Sequence, residues 1–256
     1  MRINFFEEYP TEDNMAKLNL IDWSSTVFVA CSSFANFENI INKYSKRYPN
    51  ITFGWWPTAP DSYYVSGFSN PASIDYFFSE ITQKTQNTGI PVLLDLELPR
   101  SKITFLKNIL NLRKNRKKIY QFTAESFEKG LVIYTAEIPV FGGLASMLLR
   151  MFGITPPPDK KHIRISMCYS SMLEKYFGRI ILGKIKNYEK KLSLKYGNIS
   201  LGLGTIAVGI LGSEPILSPE RIREDLKWAK ESKAKEVFIF RLGGLDDSYI
   251  SAIKSV

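Results

Sequence analysis

This chain is poor in the residues that form disulfides and hold metals. Its 256 residues include two cysteines and one histidine. Cys31 and Cys168 are too few for a disulfide framework, which favours a reducing compartment, so we expect a cytoplasmic protein. A single histidine, His162, leaves little for the histidine-rich metal sites of many enzymes. The sequence therefore predicts neither a bound metal nor a cofactor.

Long uninterrupted apolar runs are also missing. Residues Met1 to Glu8 lack the apolar segment of a secretory signal, so none is expected. The longest apolar run, Leu131 to Ile154, is broken by residues that include Glu137 and Arg150. This pattern favours a buried strand followed by a core-facing helix over a transmembrane segment. We expect a soluble protein with no membrane partner.

The net charge of the chain is +9, and its densest basic run is Arg113–Lys118. Such a run can bind phosphate backbones or another anionic surface. No nucleic-acid-binding motif accompanies it, and aromatic residues do not interleave with these charges. The run is typical of a solvated helix end, so a nucleic-acid partner is not expected. The oligomeric state stays open.

Strand-like segments alternate with helical ones along the whole chain, which predicts a parallel sheet. Eight such strands are the number that closes a barrel. We therefore predict an α/β fold, a single (β/α)8 TIM-type barrel domain over residues 1–256. The rival is an open doubly wound sheet, which the lack of a glycine-rich first turn disfavours. The predicted strands are Ile3–Glu8, Thr26–Ser32, Ile51–Trp56, Val92–Leu98, Val132–Ile138, Ile163–Tyr169, Ile199–Ala207 and Val237–Leu242.

Helices are predicted between these strands, and the last of them has clear boundaries. Ser218 is its N-cap, followed by Pro219 at the first helical position. The segment Lys118–Gly130 is ambiguous, because Ile119–Thr123 could form an extra strand. The predicted helices are Phe37–Tyr48, Ile74–Thr85, Lys102–Arg113, Leu144–Phe152, Met172–Lys195 and Ser218–Ser232.

The segment Pro91–Pro99 is the strongest sign of chemistry in the chain. Its apolar run ends in Asp95 and Glu97, which alternation places on one face of a strand with Leu93 below them. Two carboxylates at the exit of a buried strand suit acid and base catalysis at a barrel mouth. Alternatively, one of them caps the next helix and the other is solvated. We expect the pKa of Glu97 to be raised more than that of any other acid.

Other strand ends add candidates, since barrel enzymes place function at the carboxyl ends of their strands. We expect Asp95, Glu97, Glu137 and Tyr169 to surround one cavity as catalytic residues. Of two strand-end aromatic neighbours, Trp55 and Trp56, one should face the mouth and the other the outer core. The candidate substrate-binding residues are Glu7, Glu8, Trp55, Trp56, Tyr63 and Arg241.

Two short motifs resemble those of family-18 glycoside hydrolases, the chitinase-type barrels. Asp95-Leu96-Glu97 is similar to the end of their Asp-x-x-Asp-x-Asp-x-Glu signature, and Met167-Cys168-Tyr169-Ser170 resembles their Met-x-Tyr-Asp. The resemblance implies that Glu97 is the general acid, that Asp95 orients an acetamido group and that Tyr169 supports it. The chain departs from the pattern, with Ile90 and Leu93 at the two earlier acids and Ser170 in place of the Asp. Family-25 lysozyme-type barrels also carry an Asp-x-Glu at this strand end.

The function expected from these residues is a glycoside-hydrolase-like barrel that acts on or binds a carbohydrate, without a metal, with an oligosaccharide or small molecule as ligand. In one direct mechanism, Glu137 would serve as base or nucleophile opposite Glu97. Two alternatives stay open. One is a phosphate-ligand barrel of isomerase or lyase type, with backbone amides near Gly202, Gly204 and Gly243-Gly244 holding the anion. The other is a non-catalytic barrel that binds carbohydrate or protein.

Overall fold

Eight parallel strands form a closed barrel in which each strand pairs with the next and the last pairs with the first. The computed structural model describes residues 1–58, 64–99, 102–139, 142–157, 161–197 and 199–256. The fold predicted from the sequence is confirmed, and all eight predicted strands agree with the observed ones to within a few residues. The strands are β1 (Arg2–Glu7), β2 (Ser25–Cys31), β3 (Ile51–Pro57), β4 (Pro91–Leu96), β5 (Val132–Glu137), β6 (Ile163–Met167), β7 (Ile199–Gly204) and β8 (Glu236–Phe240).

Helices surround the barrel and connect successive strands. The ambiguous segment before β5 is helical, so the possible extra strand at Ile119–Thr123 is wrong. Its buried residues, Asn115, Ile119, Phe122 and Thr123, recur at helical spacing. Within the described residues the helices are α1 (Glu12–Ala16), α2 (Phe34–Tyr44), α3 (Pro71–Thr85), α4 (Lys102–Asn108), α5 (Leu112–Glu125), α6 (Gly143–Met151), α7 (Ser170–Tyr196), α8 (Pro219–Glu231) and α9 (Asp247–Lys254).

Local capping sets the first residues of the helices that the sequence predicts. The Ser218 side chain accepts a hydrogen bond from the backbone N–H of Arg221, and Pro219 occupies the first turn of α8. At α3, the Asn70 side chain accepts from Ala72 N, and Pro71 follows the cap. Each such cap satisfies an otherwise unpaired backbone donor and contributes about 1 kcal/mol. These caps fix where the chain leaves each connecting loop.

Aromatic side chains fill the lower part of the barrel interior. Phe238 stacks on Phe6 with ring centroids 5.3 Å apart and lies 5.5 Å from Phe28. Tyr134 meets Phe28 edge-on at 5.1 Å. Burial of each phenylalanine contributes about 1.5–3 kcal/mol. The interior is therefore closed below and can open only toward the carboxyl ends of the strands.

A second apolar layer lies between the barrel and its helices, and Trp55, Phe37 and Ile81 are buried in it.

No helix among the described residues is both long enough and apolar enough to cross a membrane.

Candidate active site

A cavity of about 230 Å³ opens at the carboxyl ends of the strands. Apolar residues such as Phe6, Leu93 and Phe240 form its floor. Among the described residues that line it there are four carboxylic acids and no lysine or arginine. The acids are Glu8, Asp95, Glu97 and Glu214. The cavity is thus acidic in a chain whose net charge is strongly positive.

Asp95 and Glu97 line this cavity together with Leu93, as strand alternation predicts. Burial raises the pKa of Glu97 to about 7, and the charge of Glu8 adds to the shift. The pKa of Asp95 is raised well above its usual value by burial, and then by Glu97 and Glu8. The raised pKa of Glu97 is as expected, but the expectation that Glu97 has the largest shift is wrong, because Asp95 lies deeper. A carboxyl that keeps its proton near neutral pH can act as a general acid.

Trp56 and Trp55 point to opposite sides of β3. The Trp56 indole lines the cavity, and its interaction with Asp95 partly offsets the rise in the pKa of that carboxyl. Trp55 is fully buried under α2, where its ring packs edge-on against Phe34 at 5.3 Å. One tryptophan therefore faces the cavity and its neighbour stabilises the outer core, so Trp55 cannot contact a ligand there.

Glu8, which directly follows β1, is hydrogen-bonded to the loop that follows β7. Its Oε2 atom accepts a hydrogen bond of 2.8 Å from the backbone N–H of Ile210. A Cβ atom at Gly209 would come within 2.7 Å of the same oxygen, so a larger residue there would displace the Glu8 carboxylate. The loop is also braced by Glu214, which accepts hydrogen bonds from Leu211 N and Ser213 N.

Tyr169 lies on the opposite side of the cavity from β3. Its ring centroid is 5.8 Å from that of Phe240, and its side chain lines the cavity. Burial raises the pKa of its hydroxyl well above the usual value, and the nearby Asp95 and Glu97 charges add to the shift. The tyrosine is therefore a neutral hydrogen-bond donor beside the two acids. The next residue, Ser170, points away from the cavity and donates to Asp225.

The first turns of α7 supply cavity residues that the sequence does not single out, and the loop after β3 supplies Tyr64 of the aromatic pair Tyr63-Tyr64. Met172, Tyr176 and Phe177 form an apolar side of the cavity, and Tyr64 lines it near the acids. Tyr64 is the neighbour of the predicted Tyr63, which lies outside the described residues. The α7 side chains have the spacing of any core-facing stripe, so no sequence signal separates them from core residues. Glu214 likewise stands in a loop without a motif.

Glu137 does not lie at the cavity, and its predicted place beside Asp95 and Glu97 is wrong. In the register of β4 and β5, Asp95 pairs with Ala136, which lines the cavity, and Leu96 pairs with Glu137. Paired residues share a face of the sheet, so Glu137 points outward toward the helices. Its carboxylate is fully buried there and binds the guanidinium of Arg164, with Nη2 2.7 Å from Oε2.

Glu7 and Arg241 also lie outside the cavity lining, which corrects their predicted role in substrate binding. Glu7 is fully buried, and Arg241 Nη1 donates to its Oε1 at 3.0 Å. Gly243 N donates to the other oxygen at 2.7 Å. The pair braces the turn after β8. It also occupies a backbone amide that a phosphate would need, and the side chain of Asp246 caps α9 in the same way.

Potential metal ligands do not cluster in the part of the chain that the structure describes: no group of three or more His, Cys, Asp and Glu residues there could hold a metal ion.

Comparison with solved structures identifies barrels of the same shape. The chain superposes on the spore cortex-lytic enzyme SleL from Bacillus cereus with a TM-score of 0.62, at 10% identity, over 99% of this chain and 73% of that one. The chitinase from Chromobacterium violaceum gives a TM-score of 0.59 at 10% identity, over 99% and 98% of the two chains. The chain shares the fold of the chitinase-type barrels.

A further match is a GH18 chitinase from Cycas revoluta, solved in complex with (GlcNAc)3. It has a TM-score of 0.58 and 12% identity, and the superposition covers 100% of this chain and 99% of that one. The similarity to a family-18 chitinase thus extends to the fold of the whole barrel. No protein-family model and no curated protein sequence matches the chain.

Proposed function

We propose that this barrel is a glycoside hydrolase that cleaves an oligosaccharide containing N-acetylated sugars, without a metal, with Glu97 as general acid. The observation that carries the proposal is the meeting of Glu97, Asp95 and Tyr169 in one cavity at the carboxyl ends of the strands. A pKa of about 7 lets Glu97 hold its proton near neutral pH. The likeness to chitinase barrels supports the same chemistry.

Glu97 would protonate the glycosidic oxygen as the bond to the anomeric carbon breaks. Because Glu137 points away from the cavity, it cannot supply the nucleophile. The resemblance to family-18 barrels implies instead a route through the acetamido oxygen of the substrate, which bonds to the anomeric carbon and forms a cyclic intermediate. Water activated by Glu97 then attacks that carbon, and the acetamido group is restored.

Asp95 is placed to orient the acetamido group. Its Oδ1 atom is buried and has no hydrogen-bond partner among the described residues, so it can accept the N–H of the substrate. The Tyr169 hydroxyl can donate a hydrogen bond to the oxygen of the same acetamido group. Trp56, which interacts with Asp95, offers an aromatic face to a sugar ring.

The other two candidate functions are less well supported. The backbone amides near Gly243 and at the start of α9 already donate to Glu7 and Asp246. Four acids also line the cavity. Both observations disfavour a phosphate ligand. A barrel that only binds carbohydrate differs from an enzyme in turnover alone.

The test uses the purified chain with N-acetylglucosamine oligomers and with the same sugars carrying a nitrophenyl leaving group. The Glu97→Gln variant keeps the shape and removes the proton donor. Turnover of the oligomers should fall by about 10²–10⁴-fold, and turnover of the activated substrate much less. Equal losses, or undiminished activity, would exclude Glu97 as the acid. Binding without turnover by the wild-type chain would favour the non-catalytic barrel.

A further inference from the structure

Helix α6 turns an apolar face toward solvent. Leu144, Met147, Leu148 and Met151 recur at the spacing i, i+3, i+4 and i+7, and all four are exposed. This spacing aligns them in one stripe along the helix. In an ordinary barrel helix such a stripe packs on the core, but here the core side of the helix carries Leu149, which is partly buried, and the small, polar Ser146. The helix therefore presents an apolar stripe to solvent in addition to the contact that Leu149 makes with the core.

Helix α4 and the short turn that follows it repeat this arrangement. Ile103, Leu106, Ile109 and Leu110 are exposed, and Leu110 is 93% exposed. Isolated exposed apolar residues are common, whereas a group of this size on two helices marks an interaction surface.

The two helices are held against the same aromatic side chain. Phe105 of α4 stacks on Phe68 with ring centroids 4.1 Å apart. Phe152, directly after α6, contacts the same ring at 5.5 Å. Both helices thus pack on one buried ring, and we call their exposed apolar residues together the α4–α6 face. It consists of Ile103, Leu106, Ile109, Leu110, Leu144, Met147, Leu148 and Met151.

The sequence segments that carry the α4–α6 face have charges of a single sign. No acidic residue occurs between Glu97 and Glu125, where there are eight lysines and arginines. Of these, Lys107, Arg113 and Lys114 are exposed next to the apolar residues in the chain. Arg150 is exposed on α6, and the sequence after Glu137 has no acidic residue through the end of that helix. An apolar surface with a basic border matches the boundary between acyl chains and anionic headgroups.

We propose that the α4–α6 face binds the surface of an anionic lipid bilayer, with its apolar side chains inserted shallowly and its basic residues at the headgroups. A second copy of the chain fits less well, because a symmetric dimer through this face would bring the two basic borders together. The proposal concerns a protein that lies on the bilayer without crossing it. It is independent of the proposed hydrolase activity.

The position of these helices decides how the docked protein would be oriented. Helix α4 follows β4 and α6 follows β5, so both begin at the end of the barrel where the cavity opens, and both are held against Phe68 in the loop after β3. Tyr176 and Phe177, which line the cavity, are themselves more than half exposed at this end. Docking would hold the cavity mouth beside the lipid surface.

Flotation of the full chain with lipid vesicles tests the proposal. We expect binding to vesicles of phosphatidylcholine mixed with phosphatidylglycerol, weaker binding to phosphatidylcholine alone, and loss of the difference at high salt. The double variant Leu106→Ser, Met147→Ser should reduce the bound fraction on the order of tenfold. The variant Arg113→Glu, Lys114→Glu should remove the preference for anionic vesicles.

The matched control is Phe127→Ser, because Phe127 is 71% exposed but follows α5 at the opposite end of the barrel. It should bind vesicles like the wild type, and circular dichroism should show that all variants fold. The proposal is overturned if the wild type binds neither kind of vesicle, or if Phe127→Ser loses binding as much as the double variant. It is also overturned if the wild type forms a dimer that the double variant abolishes and does not bind vesicles.

Discussion

Arg164 binds the carboxylate of Glu137 through two nitrogens on the outer side of the barrel, with Nε 3.0 Å and Nη2 2.7 Å from Oε2. Thr135 Oγ1 donates to the other oxygen at 2.7 Å. Both charged side chains are almost completely buried. The pair joins β5 to β6 under the helices, which makes Glu137 a structural residue.

The first prediction concerns the stability that this pair provides. Glu137→Ala leaves Arg164 as a buried, unpaired cation, so the free energy of unfolding should fall by about 3–5 kcal/mol. Urea unfolding measures the change. The double variant Glu137→Leu, Arg164→Met should recover much of the loss, because no charge stays buried. A Glu137→Ala protein that keeps full stability but no longer binds oligosaccharide would instead mean that Glu137 belongs to the active site.

The second prediction concerns the pH dependence of stability. Glu97 has a pKa of about 7 in the folded protein, above its ordinary 4.5, so the folded state holds this proton more tightly than the unfolded chain. The contribution of Glu97 to the free energy of unfolding therefore falls as pH rises from about 4.5 to about 7. Glu97→Gln should flatten the dependence in this range. Glu38→Gln, an exposed position on α2, is the control and should leave it unchanged. An unaltered profile in Glu97→Gln would contradict the shift.

The same pKa predicts the pH profile of activity if the proposed function is right. As pH rises past about 7, Glu97 loses the proton that it must donate, so kcat/KM should decline. Initial rates across the pH range measure this limb. A kcat/KM that stays constant well above neutral pH would be incompatible with Glu97 as the acid.

The final prediction separates the two neighbouring tryptophans. Trp56→Phe removes the indole that contacts Asp95 in the cavity, so oligosaccharide affinity should drop by roughly fivefold to tenfold. Trp55→Phe should lower the free energy of unfolding and leave the affinity unchanged, because Trp55 packs under α2. Calorimetric titration and urea unfolding on both variants provide the comparison. The reverse pattern would mean that Trp55 faces the ligand.

The elements of this fold could be predicted from the sequence because its local signals agree. Parallel strands buried on both faces are near-continuous apolar runs, such as Val92–Leu96. Ser218 and Pro219 mark the start of α8 by capping chemistry that acts over a few residues. The exception is α5, where apolar residues at Ile119–Phe122 also suit a strand, and only packing against the barrel selects the helix.

The candidate site could be predicted only where a local sequence signal was sufficient. The sequence by itself determined that Asp95 and Glu97 share a face, since alternation along a strand is a property of the backbone. It could not determine which face of each strand points into the barrel, because both faces are buried and both are apolar. Closure of the barrel and the register between β4 and β5 decided that Asp95 points inward and Glu137 outward. That choice depends on contacts between residues distant in the chain, and it separates the acids of the cavity from those that hold the barrel together.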